Sequence, residues 1–468
     1  MNLKKLINFP FYFIIFISFL IFLLGFNNLK NIALYSYFLF FISFILIFTS
    51  FYYLKFSNFE NKINFFTVIL FTYITLSIIN FFIILNNYYN PSQLKEKQMR
   101  IEKANELGIE FDKRTRLQVI EDYRKNNKET YGVILPSLFS QQYIKKNLFP
   151  LSGISNVFTV YGNETGEYLV YKSDRYGFNN EDYVYDQNEI DFLIIGDSFA
   201  HGANVKNGND VASILRKKGY SAVTIGMGAN GPLTELASMV EYGVELKPKI
   251  ILWFLFSNDL NDLVRELQNP ILKNYLSNEN FNQDLINKQK EIDLMLKEIH
   301  EIKISEFKEN EKRFFKTSYN PNKFFSKNNL KKFFTLYEIR ALLNIDKGSF
   351  KKENKVTNYT RENFKKIFKK ACSIADKNNS QLFIVNLPSY ESLDNGKSFK
   401  NDFIKSFIKN FFVEVIDFGD FLLLQNDFRV FFPLKMIGHY TREGYENLSN
   451  IILDKTILNE SVGGCEKS

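Results

Sequence analysis

The sequence predicts an α/β domain built on a parallel sheet and preceded by three membrane-spanning helices. Three observations lead there. The first ninety residues hold three long uncharged apolar runs. Near Asn90 the composition turns abruptly polar and charged. Beyond about residue 186, short apolar strands alternate with helical stretches, the pattern of a sheet covered by helices on both faces.

The apolar runs are Phe9 to Phe26, Ile32 to Leu54 and Ile63 to Leu85. Each is close to the roughly 20 residues that a helix needs to cross about 30 Å of hydrocarbon. The first is long for a secretory signal and ends without a small-residue cleavage site. This predicts a multi-pass anchor over 1–88. Lys4 and Lys5 precede the first run and Lys55 and Lys62 follow the second, whereas only Lys30 lies between the first two. That bias puts the N-terminus and second loop in the cytoplasm. Everything after Leu85 is then expected outside it, on an inner membrane.

Composition narrows the remaining classes. The chain has 468 residues, 46% of them hydrophobic, enough for more than one core. Its net charge of +8 comes from scattered lysines. Nucleic-acid binding, which needs a clustered basic footprint, is not expected. Two cysteines, Cys372 and Cys465, make no disulfide framework, and nothing in their spacing pairs them. No Cys/His group has metal-ligand spacing, so neither metal nor cofactor is expected.

Residues 89–185 read as linker helices and a β-hairpin. "SQLKEKQMRIEKANELG" and "EFDKRTRLQVIEDYRKNN" have helical spacing. In "NVFTVYGNETGEYLVYKSDRYGFNN", aromatic and β-branched runs flank an Asn-Glu-Thr-Gly turn. Asn163-Glu164-Thr165 also fits a glycosylation sequon, a triplet frequent by chance.

The domain proper is expected over 186–460, with a flexible tail at 461–468. "FLIIG" is a strand, "VASILRKKG" a short helix and "SAVTIGM" a second strand. "PLTELASMVEYGVEL" is a helix with Pro232 in its first turn. "KIILWFLF" is a third strand, nearly all apolar, as a strand covered on both faces should be. "QLFIVNLP" and "VEVIDFGDF" supply two more. Between the third strand and these two, about 260–358 reads as a helical insertion with dense mixed charge, expected to pack as an amphipathic helix with His300 on its surface.

In such sheets function sits at the carboxyl ends of the strands. The first strand ends in Gly-Asp-Ser, presenting Ser198. The second enters "GMGANGP", whose glycines let a backbone N–H approach a ligand. The third ends at Asn258-Asp259. Near the C-terminus, His439 precedes a helix that Thr441 is placed to cap. A hydroxyl, a free backbone N–H, a side-chain amide and an imidazole are the inventory of acyl transfer: nucleophile, oxyanion donors and general base. Asp197 and Asp259 read as local turn-makers.

These four blocks resemble those of the SGNH (GDSL-type) hydrolases. "GDSF" resembles the first block, "GMGANGP" the second, "SNDL" the third and "GHY" the last. "YKSDRYGFNN" resembles the lead-in of envelope-associated members. The resemblance covers about Asp191 to Glu460. It implies a flavodoxin-like sheet, Ser198 as nucleophile, His439 as base, and Asn258 with the N–H of Ala229, or alternatively Gly228, as oxyanion donors. Two departures stand out. Ala229 occupies the family's glycine position. The family's Asp, two or three residues before the histidine, is replaced by Met436 and Ile437, and Asp417, Asp420 and Asp427 lie off that spacing. A Ser–His dyad is therefore expected. The resemblance implies a membrane-anchored serine esterase removing acyl groups, acetyl above all, from an envelope or exported glycan. The partners are then the bilayer and an acylated carbohydrate. An O-acyltransferase with the same site, or a degenerate scaffold for polysaccharide assembly, are the alternatives.

Overall fold

The computed structural model describes isolated residues between 8 and 19, then 33–89, 92–139, 147–316, 327–342, 356–398, 402–411, 413–457 and residue 465. The chain forms two compact units: Met1–Lys95 with Thr317–Lys352, and Glu96–Lys316 with Glu353–Ser468.

In the first unit, α1 (Ala33–Phe56) and α2 (Phe59–Tyr89) coincide with the second and third apolar runs. Over Phe59–Leu85, α2 is the one described helix long and apolar enough to cross a membrane. The run Phe9–Phe26 lies largely outside the described residues.

The second unit opens with α3 (Ser92–Glu106), which begins in the first, and α4 (Arg116–Lys125). A three-stranded sheet follows: β1 (Thr130–Gly132), β2 (Phe158–Val160) and β3 (Val170–Lys172). Strands β2 and β3 are the antiparallel hairpin expected around Asn-Glu-Thr-Gly. Next come β4 (Ile190–Ile195), α5 (Ser198–His201), α6 (Val211–Lys217), β5 (Ala222–Thr224), α7 (Pro232–Ser238), β6 (Pro248–Leu255) and α8 (Asp259–Glu266). The helix α9 (Gln289–Lys316) belongs to this unit, whereas α10 (Lys327–Phe334) and α11 (Tyr337–Leu342) belong to the first. The chain returns through α12 (Asn358–Lys377), β7 (Gln381–Asn386), β8 (Glu414–Asp417) and α13 (Arg442–Ile457).

The main sheet is all parallel, in the order β5-β4-β6-β7-β8. Counted from β4, this is 2-1-3-4-5, the flavodoxin-like order, whose switch point lies between the first and third strands. Alternate residues supply the two faces. Leu193, Ile195, Ile251, Trp253 and Ile384 join one core with α7 and α12. Phe192, Ile194, Leu252, Phe254 and Phe383 join the other with α6 and α13. Both faces are buried, which is why the strands read as continuous apolar runs.

Two expectations are corrected. His300 is buried, not a surface residue: the Gly132 N–H donates to its Nε2 at 2.7 Å, and its neighbours Ile292, Met295, Leu296 and Ile299 enter the main core. Burial pushes its pKa down. Cys372 of α12 and Cys465 form a disulfide across 93 residues of sequence, where spacing had shown no pair.

Candidate active site

The site forms where β4 ends. Gly196 leaves the strand, and Asp197 caps the short helix α5 by accepting the Phe199 N–H at 3.0 Å. Ser198 thereby becomes the first helical residue, half-buried, with its hydroxyl outside the sheet. Its Oγ lies 2.8 Å from His439 Nε2. The histidine comes from the loop before α13, whose Thr441 accepts the Gly444 N–H at 3.3 Å as the sequence predicts. Its ring packs on Phe199, with centroids 4.8 Å apart.

The other imidazole nitrogen corrects the dyad. Both carboxylate oxygens of Glu164 lie 3.1 Å from His439 Nδ1, and Oε2 also accepts the His439 backbone N–H at 2.8 Å. Glu164 sits in the β2–β3 loop, 275 residues upstream, where the sequence reading saw only a turn. Asn204 donates to Glu164 Oε1 at 2.9 Å. From α3, Arg100 donates to the Ile437 carbonyl at 2.7 Å and so braces the histidine loop. Asp417 instead accepts from Asn386 and caps the helix after β8, and Asp427 pairs with Lys435. Among the described residues, the hydrogen-bond partners of His439 are Ser198, Glu164 and Asn204, not these aspartates or Asp420.

The electrostatics match a charge-stabilised histidine. Burial pushes the Glu164 carboxyl up, but the charge of His439, its hydrogen bonds and Arg100 outweigh this and bring it down to about 2. Burial works against the His439 cation. Glu164, by charge and hydrogen bond, and Asp197, by charge, nevertheless raise its pKa above the ordinary value. An ionised carboxylate on Nδ1 requires the neutral ring to carry its proton there, leaving the Nε2 lone pair on Ser198 Oγ.

The residues expected as oxyanion donors come from three segments. No acceptor among the described residues takes the backbone N–H of Ser198, Gly228 or Ala229. Ala229 sits at φ 64, a left-handed conformation that costs a non-glycine residue about 1–2 kcal/mol. Its carbonyl is held by Arg265 Nη2 at 2.8 Å. Arg265 pairs with Asp262 at 2.9 Å, and Asp262 accepts the Asn258 amide at 2.6 Å. Asn258 also acts on Asp197, partly offsetting the rise that burial forces on that carboxyl. Asn258 is thus near the turn that holds Ser198, with its amide donating to Asp262. Gly228 cannot be larger: a Cβ there would fall 2.3 Å from the Tyr161 hydroxyl.

Asp259 and Glu235 are buried near this network and are structural. Asp259 accepts the Phe256 N–H at 2.9 Å, and Glu235 accepts from Trp253 Nε1 at 2.7 Å. Burial raises both carboxyls. Among the described residues, no group of His, Cys, Asp and Glu could hold a metal ion.

The structure therefore unites Ser198, His439, Gly228, Ala229 and Asn258 in one region, and adds Glu164, Asn204 and Arg100, which the sequence reading missed. Neither a family model nor a curated protein matches the chain.

Proposed function

We propose that this chain is a membrane-anchored serine esterase of the SGNH type, acting on O-acyl groups of a cell-envelope or exported glycan. The observation that carries the reading is the relay Ser198–His439–Glu164, with its three hydrogen-bonded distances of 2.8, 3.1 and 3.1 Å. It replaces the dyad of the sequence reading with a full triad and removes the main support for a degenerate scaffold.

In the proposed reaction, His439 Nε2 takes the Ser198 proton as Oγ attacks the acyl carbonyl. The carbonyl oxygen becomes the oxyanion and is met by the N–H groups of Ser198 and Ala229. Glu164 stabilises the imidazolium that forms and does not itself become protonated. His439 then gives its proton to the departing sugar oxygen, leaving an acyl-Ser198 ester. In hydrolysis, His439 takes a proton from water, whose oxygen attacks that ester and frees the acid and the serine. A sugar hydroxyl in place of water would make the protein a transferase.

Two features support the location. Helix α2 has the length and composition of a membrane span. The disulfide belongs to an oxidising compartment, which agrees with a domain outside the cytoplasm. The test is turnover of a nitrophenyl acetate and of an O-acetylated oligosaccharide by the detergent-purified chain, with acetate and transfer products both measured. Ser198→Ala should abolish turnover of both while the domain stays folded. Unchanged turnover would remove the reading.

A further inference from the structure

Helices α10 and α11 and the turn between them lie against α2, over its stretch from Tyr73 to Phe81. A helix–turn–helix leaves orphan groups at its bend: the last carbonyls of one helix and the first N–H groups of the next. Here polar side chains of the apolar helix meet them. Asn80, fully buried, donates to the carbonyls of Lys332 at 3.1 Å and Phe333 at 3.3 Å. Its Oδ1 accepts the N–H groups of Glu338 at 3.0 Å and Ile339 at 3.4 Å. Tyr73 donates its hydroxyl to the Phe334 carbonyl at 3.1 Å. The Lys331 carbonyl is taken by Thr335 from within the turn.

Such capping is what a bend in hydrocarbon requires, since no water is there to finish the backbone. At a water-facing bend, solvent would serve. The outward side of the segment is mixed, with apolar side chains beside an exposed Lys331. Phe334 is 64% exposed and Leu330 40% exposed, beside a helix whose own Phe71 and Phe82 are exposed. Phe333 packs edge-on to Phe81. Lys332 is paired with Glu338 at 3.2 Å and lies over the Tyr337 ring.

We infer that Lys327–Leu342 is a re-entrant membrane hairpin, docked on α2 through Asn80 and Tyr73, with bilayer hydrocarbon covering Leu330 and Phe334. The inference rests on the reading of α2 as a membrane span. At 1.5 Å per residue, Asn80 and Tyr73 lie about 8 and about 18 Å along the helix from Leu85, inside a core of about 30 Å. Helices of 8 and 6 residues are about 12 and 9 Å long, too short to cross it, so the segment enters and leaves by one face.

Three single-cysteine variants test this in the full-length, membrane-embedded chain. Because Cys372 and Cys465 are bonded to each other, the introduced thiol is the reactive one. Phe334→Cys probes the hairpin, Phe71→Cys the span and Leu424→Cys, at a residue 84% exposed, a water-facing control. Phe71 and Phe334 are equally exposed on the protein, at 64%, so what shields them must come from outside it. Vesicles receive a charged, membrane-impermeant maleimide on both faces, and total thiol is counted after denaturation. The expected result is labelling of Leu424→Cys at least about tenfold faster than of the other two, since a charged reagent is excluded from hydrocarbon. Phe334→Cys labelling as fast as Leu424→Cys while Phe71→Cys stays shielded would overturn the hairpin and leave the span standing. Fast labelling of Phe71→Cys would remove both. Neither result bears on the esterase chemistry, which is read by turnover.

Discussion

Replacing Glu164 by Gln removes one charge and almost no volume, and the structure says how much that should cost. Glu164 is an acceptor for three donors: His439 Nδ1, the His439 backbone N–H and the Asn204 amide. A glutamine has one oxygen and one NH₂. If its oxygen faces the backbone N–H, its NH₂ confronts the Asn204 amide; turned round, it confronts the backbone N–H. Either way one buried donor loses its acceptor, at about 1–3 kcal/mol. The imidazolium formed during attack also loses its carboxylate, and an NH₂ on Nδ1 favours the wrong tautomer. In a working triad the comparable change is worth about 10⁴ in turnover. Glu164→Gln should therefore lower kcat by about 10²–10⁴, measured on a nitrophenyl acetate, with the fold retained by circular dichroism. The pH profile should move as well. The neutral histidine is the active base, and its pKa is raised in part by Glu164, so activity rises as pH passes a value above the ordinary imidazole range. Without the carboxylate that limb should shift to lower pH. A variant within tenfold of the parent, with an unmoved acid limb, would refute the triad.

Other substitutions separate the remaining parts. With its amide held on Asp262, Asn258→Ala should slow acylation only a few-fold with KM nearly unchanged; a loss of about 10²–10³, the usual effect of removing one oxyanion donor, would show that the amide turns to the oxyanion instead. Gly228→Ala drives a Cβ onto the Tyr161 hydroxyl and should cost about 1–3 kcal/mol of stability as well as activity. Adding Tyr161→Phe should recover part of both, and no recovery would mean the clash is not the cause. Cys465→Ser should lower stability by about 2–4 kcal/mol, read from the thermal midpoint, and leave kcat within a few-fold. An unchanged midpoint would show that the bridge does not form in the native protein.

Much of the sheet is legible in the sequence because both of its faces are buried. "FLIIG" and "KIILWFLF" could be read as strands from their apolar runs alone, and the residues at their ends, Ser198 and Asn258, followed from topology. Glu164 left no such mark. Its partner is 275 residues away, whereas the positions just before the histidine in sequence are Met436 and Ile437, neither of them an acid. One local signal exists: Gly162 and Gly166 bracket the acid, and a Cβ at Gly162 would fall 2.2 Å from Asn204 Oδ1. Glycines flanking a hairpin acid mark a loop pressed against another element. His300 was legible in hindsight, four residues from Leu296 and eight from Ile292 on the buried face of α9. The disulfide was not, since two cysteines 93 residues apart carry no spacing signature.

The most direct test of the account is covalent labelling of Ser198. A fluorophosphonate probe reacts with a serine only when a neighbouring base and oxyanion donors activate it. The membrane-embedded chain should take up one probe per molecule, on the peptide holding Ser198. Labelling should be lost in Ser198→Ala and much slowed in His439→Ala and Glu164→Gln. A parent chain that stays unlabelled while folded, or a Ser198→Ala variant that labels as fast as the parent, would contradict the assignment of Ser198 as the nucleophile.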